Sequence, residues 1–542
     1  MSRIKNLLVV IAILSVWSCK KPPREVADYL IHADRIYTCD SAFTVVEAVV
    51  VKDGKIIATG EKDDLLARYK VEEIKNGVGT IVYPGWIDGH CHFYGYGKTA
   101  SQLNLKYTAS MEDLVERVKQ YATEHPEGWI LGRGWDQTDW EIKTFPSKTK
   151  LDFLFPDRPV VLKRIDGHAA LVNQAALDAA GISVRTKVEG GEVELRNGRL
   201  TGMLIDNAVE LVMDVVPEPT RLQKVQALLK AQEDCIKEGL TAVTDAGLDL
   251  DIIILIDSLM KSGDLVMPIY AMMSPTTENR DYFFEGNPNL HPNLKVRSVK
   301  LYADGALGSR GALLKKPYCD DTTTNGLMLT PMDEIHEWLK FMAENNGQVN
   351  THCIGDSANT IILRAYSKYL DDSEDLRWRI EHAQVVSPVD RSFFGDFGIL
   401  PSVQPTHAIS DMNWAEDRIC KDRMAGAYAY QSLLKENGML VLGTDFPVEE
   451  ISPLNTFKTA VFRKDARGYP VDGFLPEEKL SRSQALLGMT AWAAYGQFME
   501  NKIGSIQTGK QANFTVVDRD IMAISHSDDV RVLAVYIGGE LR

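Results

Sequence analysis

The run Tyr83-Pro84-Gly85-Trp86-Ile87-Asp88-Gly89-His90-Cys91-His92 ends in two imidazoles two residues apart. In an extended strand, side chains at i and i+2 share a face, so His90 and His92 can chelate one cation while Cys91 points the other way. Neutral imidazole suits zinc and its first-row neighbours. Taken alone, such a pair is as readily a coincidence; it gains meaning from Lys300, His352, His382 and Asp445, each near the end of an apolar run. A protonated lysine is a poor ligand, but a buried one with a lowered pKa reacts with carbon dioxide to give a carbamate that can bridge two cations. The other reading of Lys300 is a charge-pairing lysine with Asp304 as partner. His352 and His382 stand about 30 residues apart, one βα unit, so both can face the same barrel mouth. Asp445, in Leu442-Gly443-Thr444-Asp445, completes the set, with a helix N-cap as its other role.

The elements that must position these residues are short apolar runs: Gly85 to His92, Leu240 to Asp245, Met267 to Met273, Val296 to Asp304, Gln348 to His352, Arg379 to His382, Ile399 to Gln404 and Met439 to Asp445. Helical stretches such as Met332 to Glu344, Ser357 to Tyr369 and Tyr430 to Asn437 separate most of them, a repeated βα pattern. Strands of this kind close into a (β/α)8 barrel with its active site at their C-terminal ends. An open doubly wound sheet is also compatible, but no phosphate-binding glycine fingerprint follows a first strand. The expected class is therefore α/β, with the barrel over residues 84–495. The stretch from His92 to Leu240 is too long for one βα connection, so an inserted subdomain is expected at about residues 95–230, covering the mouth. It holds a strand at Pro159 to Ile165, the run Asp166-Gly167-His168 and an amphipathic segment at Ala169 to Ala180. Both ends read as short β runs, including a hairpin signal at Asp53-Gly54, so residues 28–83 and 496–542 are expected to build one small β-sandwich.

The chain has 542 residues and a formal charge of -15. An acidic balance argues against a nucleic-acid partner and leaves a small-molecule substrate. Residues 1–19 have a basic start, an apolar core from Leu7 to Val16, and Ser18-Cys19, which reads as an export signal. Leu14-Ser15-Val16-Trp17-Ser18-Cys19 resembles a bacterial lipobox, with Trp17 where a small residue is usual. The expectation is a lipidated Cys19 on the bacterial cell envelope, followed by a tether at 20–27; ordinary secretion and a retained anchor are the other readings. The remaining cysteines, Cys39, Cys91, Cys235, Cys319, Cys353 and Cys420, have no spacing that implies a disulfide framework, although an exported protein can form one. By alternation Cys91 and Cys353 point away from a metal and into the layer between strands and helices. No heptad or apolar stripe indicates an oligomer.

These motifs together resemble the metal-dependent amidohydrolase superfamily, in particular its YtcJ-like (amidohydrolase 3) branch, which includes N-substituted formamide deformylases. The resemblance rests on Pro84 to His92, Lys300 to Ala312, His352 to Ala358, Gln404-Pro405-Thr406-His407, Gly443-Thr444-Asp445, and Gly504-Ser505-Ile506 with Gly509 to Asn513. Asn513 stands where Asp is more common. The resemblance implies His90 and His92 on one metal, Lys300 as a bridging carbamate, His352 and His382 on a second, and Asp445 as ligand and proton acceptor. One or two divalent ions, zinc foremost, are the implied cofactors.

His407, ending the seventh strand, can hydrogen-bond a substrate carbonyl or its oxyanion. His168 is a candidate to reach over the site, with a structural turn residue as its equal alternative. Trp135, in Gly132-Arg133-Gly134-Trp135-Asp136, is a candidate pocket wall or simply core. Asp304 and Arg310 are candidates near the substrate or for fixing loops. The leading expectation is hydrolysis of a non-peptide carbon–nitrogen bond in an amide, formamide or cyclic amide. A mononuclear deaminase-type hydrolase on the same fold and a non-catalytic lipid-anchored binding protein are the alternatives.

Overall fold

In the computed structural model, residues 24–99, 102–286, 288–370 and 375–542 are described. The signal segment 1–19 and residues 20–23 of the tether lie outside them. The strand Glu25–Tyr37 already begins within the stretch expected as tether, because Glu25, Val26 and Ala27 pair with Tyr69, Lys70 and Val71. Among the described residues, no helix is long and apolar enough to cross a membrane.

The expected apolar runs are strands of one parallel sheet: β1 (Trp86–Cys91), β2 (Leu240–Leu248), β3 (Ile269–Met273), β4 (Leu294–Tyr302), β5 (Gln348–Cys353), β6 (Arg379–His382), β7 (Leu400–Val403) and β8 (Val441–Leu442). They are hydrogen-bonded in chain order, and helices cross between them, as a barrel requires. The seam between β8 and β1 is bridged just past the strand ends. There Asp445 N–H donates to the His90 carbonyl and His92 N–H to the Phe446 carbonyl, each at 2.8 Å. This close approach needs glycine. A Cβ on Gly443 would lie 2.5 Å from His90 N, and one on Gly89 2.6 Å from the Leu442 carbonyl oxygen. Gly443→Ala is therefore expected to cost about 1–3 kcal/mol by overpacking. Urea denaturation reads this, and an unchanged midpoint would mean that the seam has slack.

The barrel interior carries an ionic knot instead of a purely apolar filling. The Arg379 guanidinium donates to the Gly89 carbonyl at 2.7 Å and to Ser402 Oγ at 2.8 Å, tying β1 and β7 to β6. Outside the strands, Cys91 is buried in the main apolar core and its thiol donates to the Thr244 carbonyl, facing away from the mouth as alternation requires.

Between β1 and β2 a six-stranded sheet is built from residues 103–206. Ile130–Trp135 and Val160–Arg164 pair in parallel within it, with Arg133 beside Lys163. Ala169–Val172, expected within an amphipathic segment, is a strand: all four residues are buried and pair with neighbours on both sides. The helix starts only at Gln174, where the Asn173 side chain accepts from Ala176 N–H as an N-cap.

Strands from both ends of the chain form one continuous seven-stranded sheet, where the sequence suggested two layers. Its two faces alternate, with Ile31, Val49 and Val51 in one apolar cluster and Leu30, Ala48 and Val50 in another. The Asp53-Gly54 hairpin is present, both residues having positive φ, as a two-residue primed turn needs. Cys319 and Cys420 form a disulfide across a separation of 101 residues, which the cysteine spacing did not signal.

Candidate metal centre

Strand register explains which side chains meet in the barrel. Across the ladders Tyr302 is level with His352, and His352 with Glu381. Neighbours at one level share a face, so Lys300, Tyr302, His352, Arg379 and Glu381 belong to one inward-facing set. Simple alternation would turn His382 outwards, but its φ of 72° lies in the left-handed region and re-aims it. Asp445, at φ 61°, leaves β8 in the same way.

Three imidazoles have Nδ1 held by an acceptor, which leaves Nε2 as the ligand atom. His90 Nδ1 donates to Glu381 Oε2 at 2.5 Å, His92 Nδ1 to the Ala246 carbonyl at 3.0 Å, and His382 Nδ1 to Gln404 Oε1 at 2.7 Å. Asp445 is central. Its Oδ1 lies 3.3 Å from His92 Nε2 and 3.6 Å from His90 Nε2, and its Oδ2 lies 3.6 Å from His407 Nε2. His90, His92 and Asp445 therefore form one potential ligand group, and His382, His407 and Asp445 a second that shares the same carboxylate.

Electrostatics agree with a cation-binding role. Burial pulls His90 down to about 4 and His352 and His382 well below the ordinary imidazole value, keeping them neutral. Burial works against ionising Asp445, but the adjacent His92, His90 and His382 imidazoles outweigh it and hold the carboxyl well below its usual range. Burial likewise lowers the Lys300 ammonium to about 8. Its Nζ lies 3.4 Å from His90 Nε2. His352 Nε2, His407 Nε2 and Asp445 Oδ1 are buried without a hydrogen-bond partner. Orphaned buried polar atoms are costly, and three on facing imidazoles and a carboxylate fit a divalent cation.

The remaining candidates separate. His168 reaches the site: its Nδ1 donates to Asp206 Oδ1 at 2.8 Å, and its ring centroid is 5.1 Å from that of His352. His407 lies in the helix Pro405–Asp411 just after β7, within reach of Asp445. Trp135 is not a pocket wall. It is fully buried in the core of the inserted sheet, and its Nε1 donates to the Leu162 carbonyl. Arg310 is turned away into an ion pair with Asp320 at 2.9 Å. Asp304 is a loop anchor that accepts from the N–H groups of Leu313, Ile354 and Gly355, at 2.8 to 2.9 Å, with His352 Nε2 at 3.8 Å.

Several positioning groups escaped the sequence reading. Glu381 is buried between His90 and Arg379, whose Nε lies 2.6 Å from Oε1; burial opposes its ionisation, yet these two partners hold it well below the carboxylate range. Asp88 accepts from His90 N–H and from Thr444 N–H and Oγ, linking the two sides of the seam. Asp245 accepts from the Phe93 and Tyr94 N–H groups and sets the chain just after His92. Glu381 was discoverable, since alternation from Arg379 puts it in the inward row.

The metal-site residues line a cavity of about 400 Å³, including His92, Lys300, His352, His382, His407 and Asp445. A parallel barrel with imidazoles and a carboxylate at its C-terminal mouth defines the class as a metal-dependent hydrolase. A solved uncharacterized metal-dependent hydrolase from Pyrococcus furiosus superposes with a TM-score of 0.71 at 28% identity, covering 91% of this chain and 99% of that one. The chain belongs to the amidohydrolase family, whose profile matches residues 78–542. It is 33% identical to YtcJ of Bacillus subtilis over 514 residues, 91% of this chain and 94% of that protein. It is 25% identical to the N-substituted formamide deformylase of Arthrobacter pascens over 547 residues, 96% and 98% of the two chains.

Proposed function

We propose that the protein hydrolyses a non-peptide carbon–nitrogen bond, in an amide, formamide or cyclic amide, with two divalent cations, zinc foremost, at the barrel mouth. The observation that carries this reading is Asp445 within reach of His90 and His92 on one side and of His382 on the other, with the buried, unpartnered Nε2 of His352 facing the same cavity. His90 and His92 would hold one cation and His352 and His382 the other, with Asp445 as a further ligand. Lys300, buried beside His90, would carry the carbamate that the family resemblance implies. Bound there, a divalent cation lowers the pKa of water from about 15.7 towards about 7 and polarises a carbonyl. Asp445 accepts the proton of the attacking water and returns it to the leaving nitrogen. His407 Nε2, at the cavity wall, donates to the carbonyl oxygen as it gains charge. The likeness to a formamide deformylase makes formamides the first substrates to try.

The test combines metal analysis with a panel of formamides, N-acyl amines and hydantoin-like rings. Activity is expected to disappear on dialysis against a chelator and to return with zinc, manganese or iron. Two equivalents of metal per chain and a mass increment of one carbon dioxide, lost in Lys300→Ala, are expected. A metal-replete protein that turns over no member of the panel overturns the reading; full activity with one equivalent overturns its two-cation part.

We also propose that the protein is anchored to the bacterial cell envelope through a lipidated Cys19. The signal-like residues 1–19 support this, as does the Cys319–Cys420 disulfide, a bond that persists in oxidising compartments. Cys19→Ala is expected to move the protein from the membrane to the soluble fraction.

A further inference from the structure

A second cavity, of about 680 Å³, adjoins the metal site and shares His92, His168 and Tyr302 with it. One wall is the inserted sheet, where Leu131 and Arg133 on one strand lie level with Val161 and Lys163 on the next. The intervening residues Gly132 and Leu162 face the other way, Leu162 into the apolar core around Trp135. Two cations therefore stand side by side on an otherwise apolar wall, an arrangement that is unfavourable without an anion.

Among the described residues neither cation has an ion-pair partner. Lys163 has no ion pair or side-chain hydrogen bond among the described residues, and burial draws its ammonium down to about 8. Arg133 donates from one terminal nitrogen to the Ile165 carbonyl at 3.0 Å, while its Nε is buried without a partner. Asp166, in the turn that follows the second of these strands, is committed to Arg164 at 2.5 Å and to the His168 N–H at 2.9 Å. Asp206 is committed to His168. Glu189, Glu210 and Glu334 also line the cavity, but all three are exposed, and none pairs with Arg133 or Lys163.

We propose that Arg133 and Lys163 form a carboxylate subsite, so that the substrate is an amide or formamide carrying a carboxylate at the end of a short aliphatic stem. The reacting carbonyl sits at the metal centre, the stem lies along Leu131 and Val161, and the carboxylate takes charge-assisted hydrogen bonds from the two cations. This substrate class rests on the hydrolase reading above; the cationic wall does not.

The experiment uses metal-replete protein and a series of N-formyl ω-amino acids of increasing length, each against its terminal carboxamide. Both kcat/KM and the dissociation constant, from calorimetry on the Asp445→Asn holoenzyme, are measured. The carboxylate member is expected to win by at least roughly tenfold, as hydrogen bonds to a charged group allow. Lys163→Met, which keeps the aliphatic stem, and Arg133→Lys are expected to reduce that ratio, with Lys163→Glu reversing it. Equal values for the paired compounds in wild type, or a preference that survives Lys163→Glu, overturn the subsite. Tighter binding of the carboxylate without turnover of any member supports the subsite and counts against the hydrolase reading instead.

Discussion

Asp445→Asn is expected to reduce turnover by roughly 10²–10⁴-fold, the usual effect of removing a general acid–base group. The amide has the shape of the carboxylate and can keep its place 3.3 Å from His92 Nε2, and the barrel seam stays closed through the Asp445 N–H to His90 carbonyl bond, which the substitution does not touch. What is lost is the basic oxygen. In the wild type, Oδ1 is buried without a hydrogen-bond partner, and the carboxyl is held ionised by the imidazoles around it. An amide oxygen in that position is too weak a base to take a proton from water near neutral pH. Steady-state rates on the best panel substrate, taken with metal content and circular dichroism, check this. A folded, metal-loaded variant working within about tenfold of wild type would falsify the assignment, since that is below the range such groups contribute.

The effect is not expected to divide evenly between Asp445 and His407. Their side chains are 3.6 Å apart, so they act on the same small volume. Substitutions of residues that act as a unit are strongly non-additive. His407→Asn in the Asp445→Asn background should therefore cost much less than it does alone.

How far the sequence reached depends on the range of each interaction. The barrel strands were legible because buried parallel strands are short, continuously apolar runs, and the ligand types at their ends mark which end is the mouth. His90 and His92 were readable from spacing alone. Glu381 is a different case: its neighbour His382 is the obvious chemical residue, and only the inward row shared with Arg379 and His352 reveals the glutamate as His90's partner. The left-handed backbone at His382 and Asp445 has no local signature, because neither residue is glycine and tertiary contacts impose the conformation. Trp135 takes the core alternative of its two readings. A tryptophan beside polar residues suggests a pocket, yet its indole N–H is satisfied within its own sheet by the Leu162 carbonyl. The Cys319–Cys420 pairing joins the segment after β4 to the helix Ala415–Arg423 after β7, 101 residues further on, so no spacing rule could have exposed it.

Removing Glu381 is expected to have the largest effect on stability. Its side chain and that of Arg379 are both fully buried: Oε2 accepts from His90 Nδ1 at 2.5 Å and from the Arg379 guanidinium at 3.0 Å, and Oε1 lies 2.6 Å from Arg379 Nε as an ion pair. Breaking such a pair from one side leaves a charge in the interior, so Glu381→Ala should cost about 3–5 kcal/mol. The sign of the pH dependence follows from the lowered carboxyl. Glu381 ionises more readily folded than unfolded, so its contribution is complete above the ordinary glutamate pKa of about 4.3 and fades as pH falls further. Urea titrations at neutral and acid pH should therefore converge for wild type and variant as pH drops. Stability is only half of the role. Glu381 also fixes the His90 tautomer that leaves Nε2 facing Asp445, and loss of such an orienting partner typically costs 10- to 100-fold in metal affinity, roughly speaking. The double variant Arg379→Met/Glu381→Leu separates the two, because replacing both members of a buried pair with apolar groups restores much of the stability. It should recover most of the urea midpoint lost in Glu381→Ala and none of the metal affinity. If metal affinity returned along with the midpoint, the glutamate would be a packing element and His90 would be oriented by the strand alone.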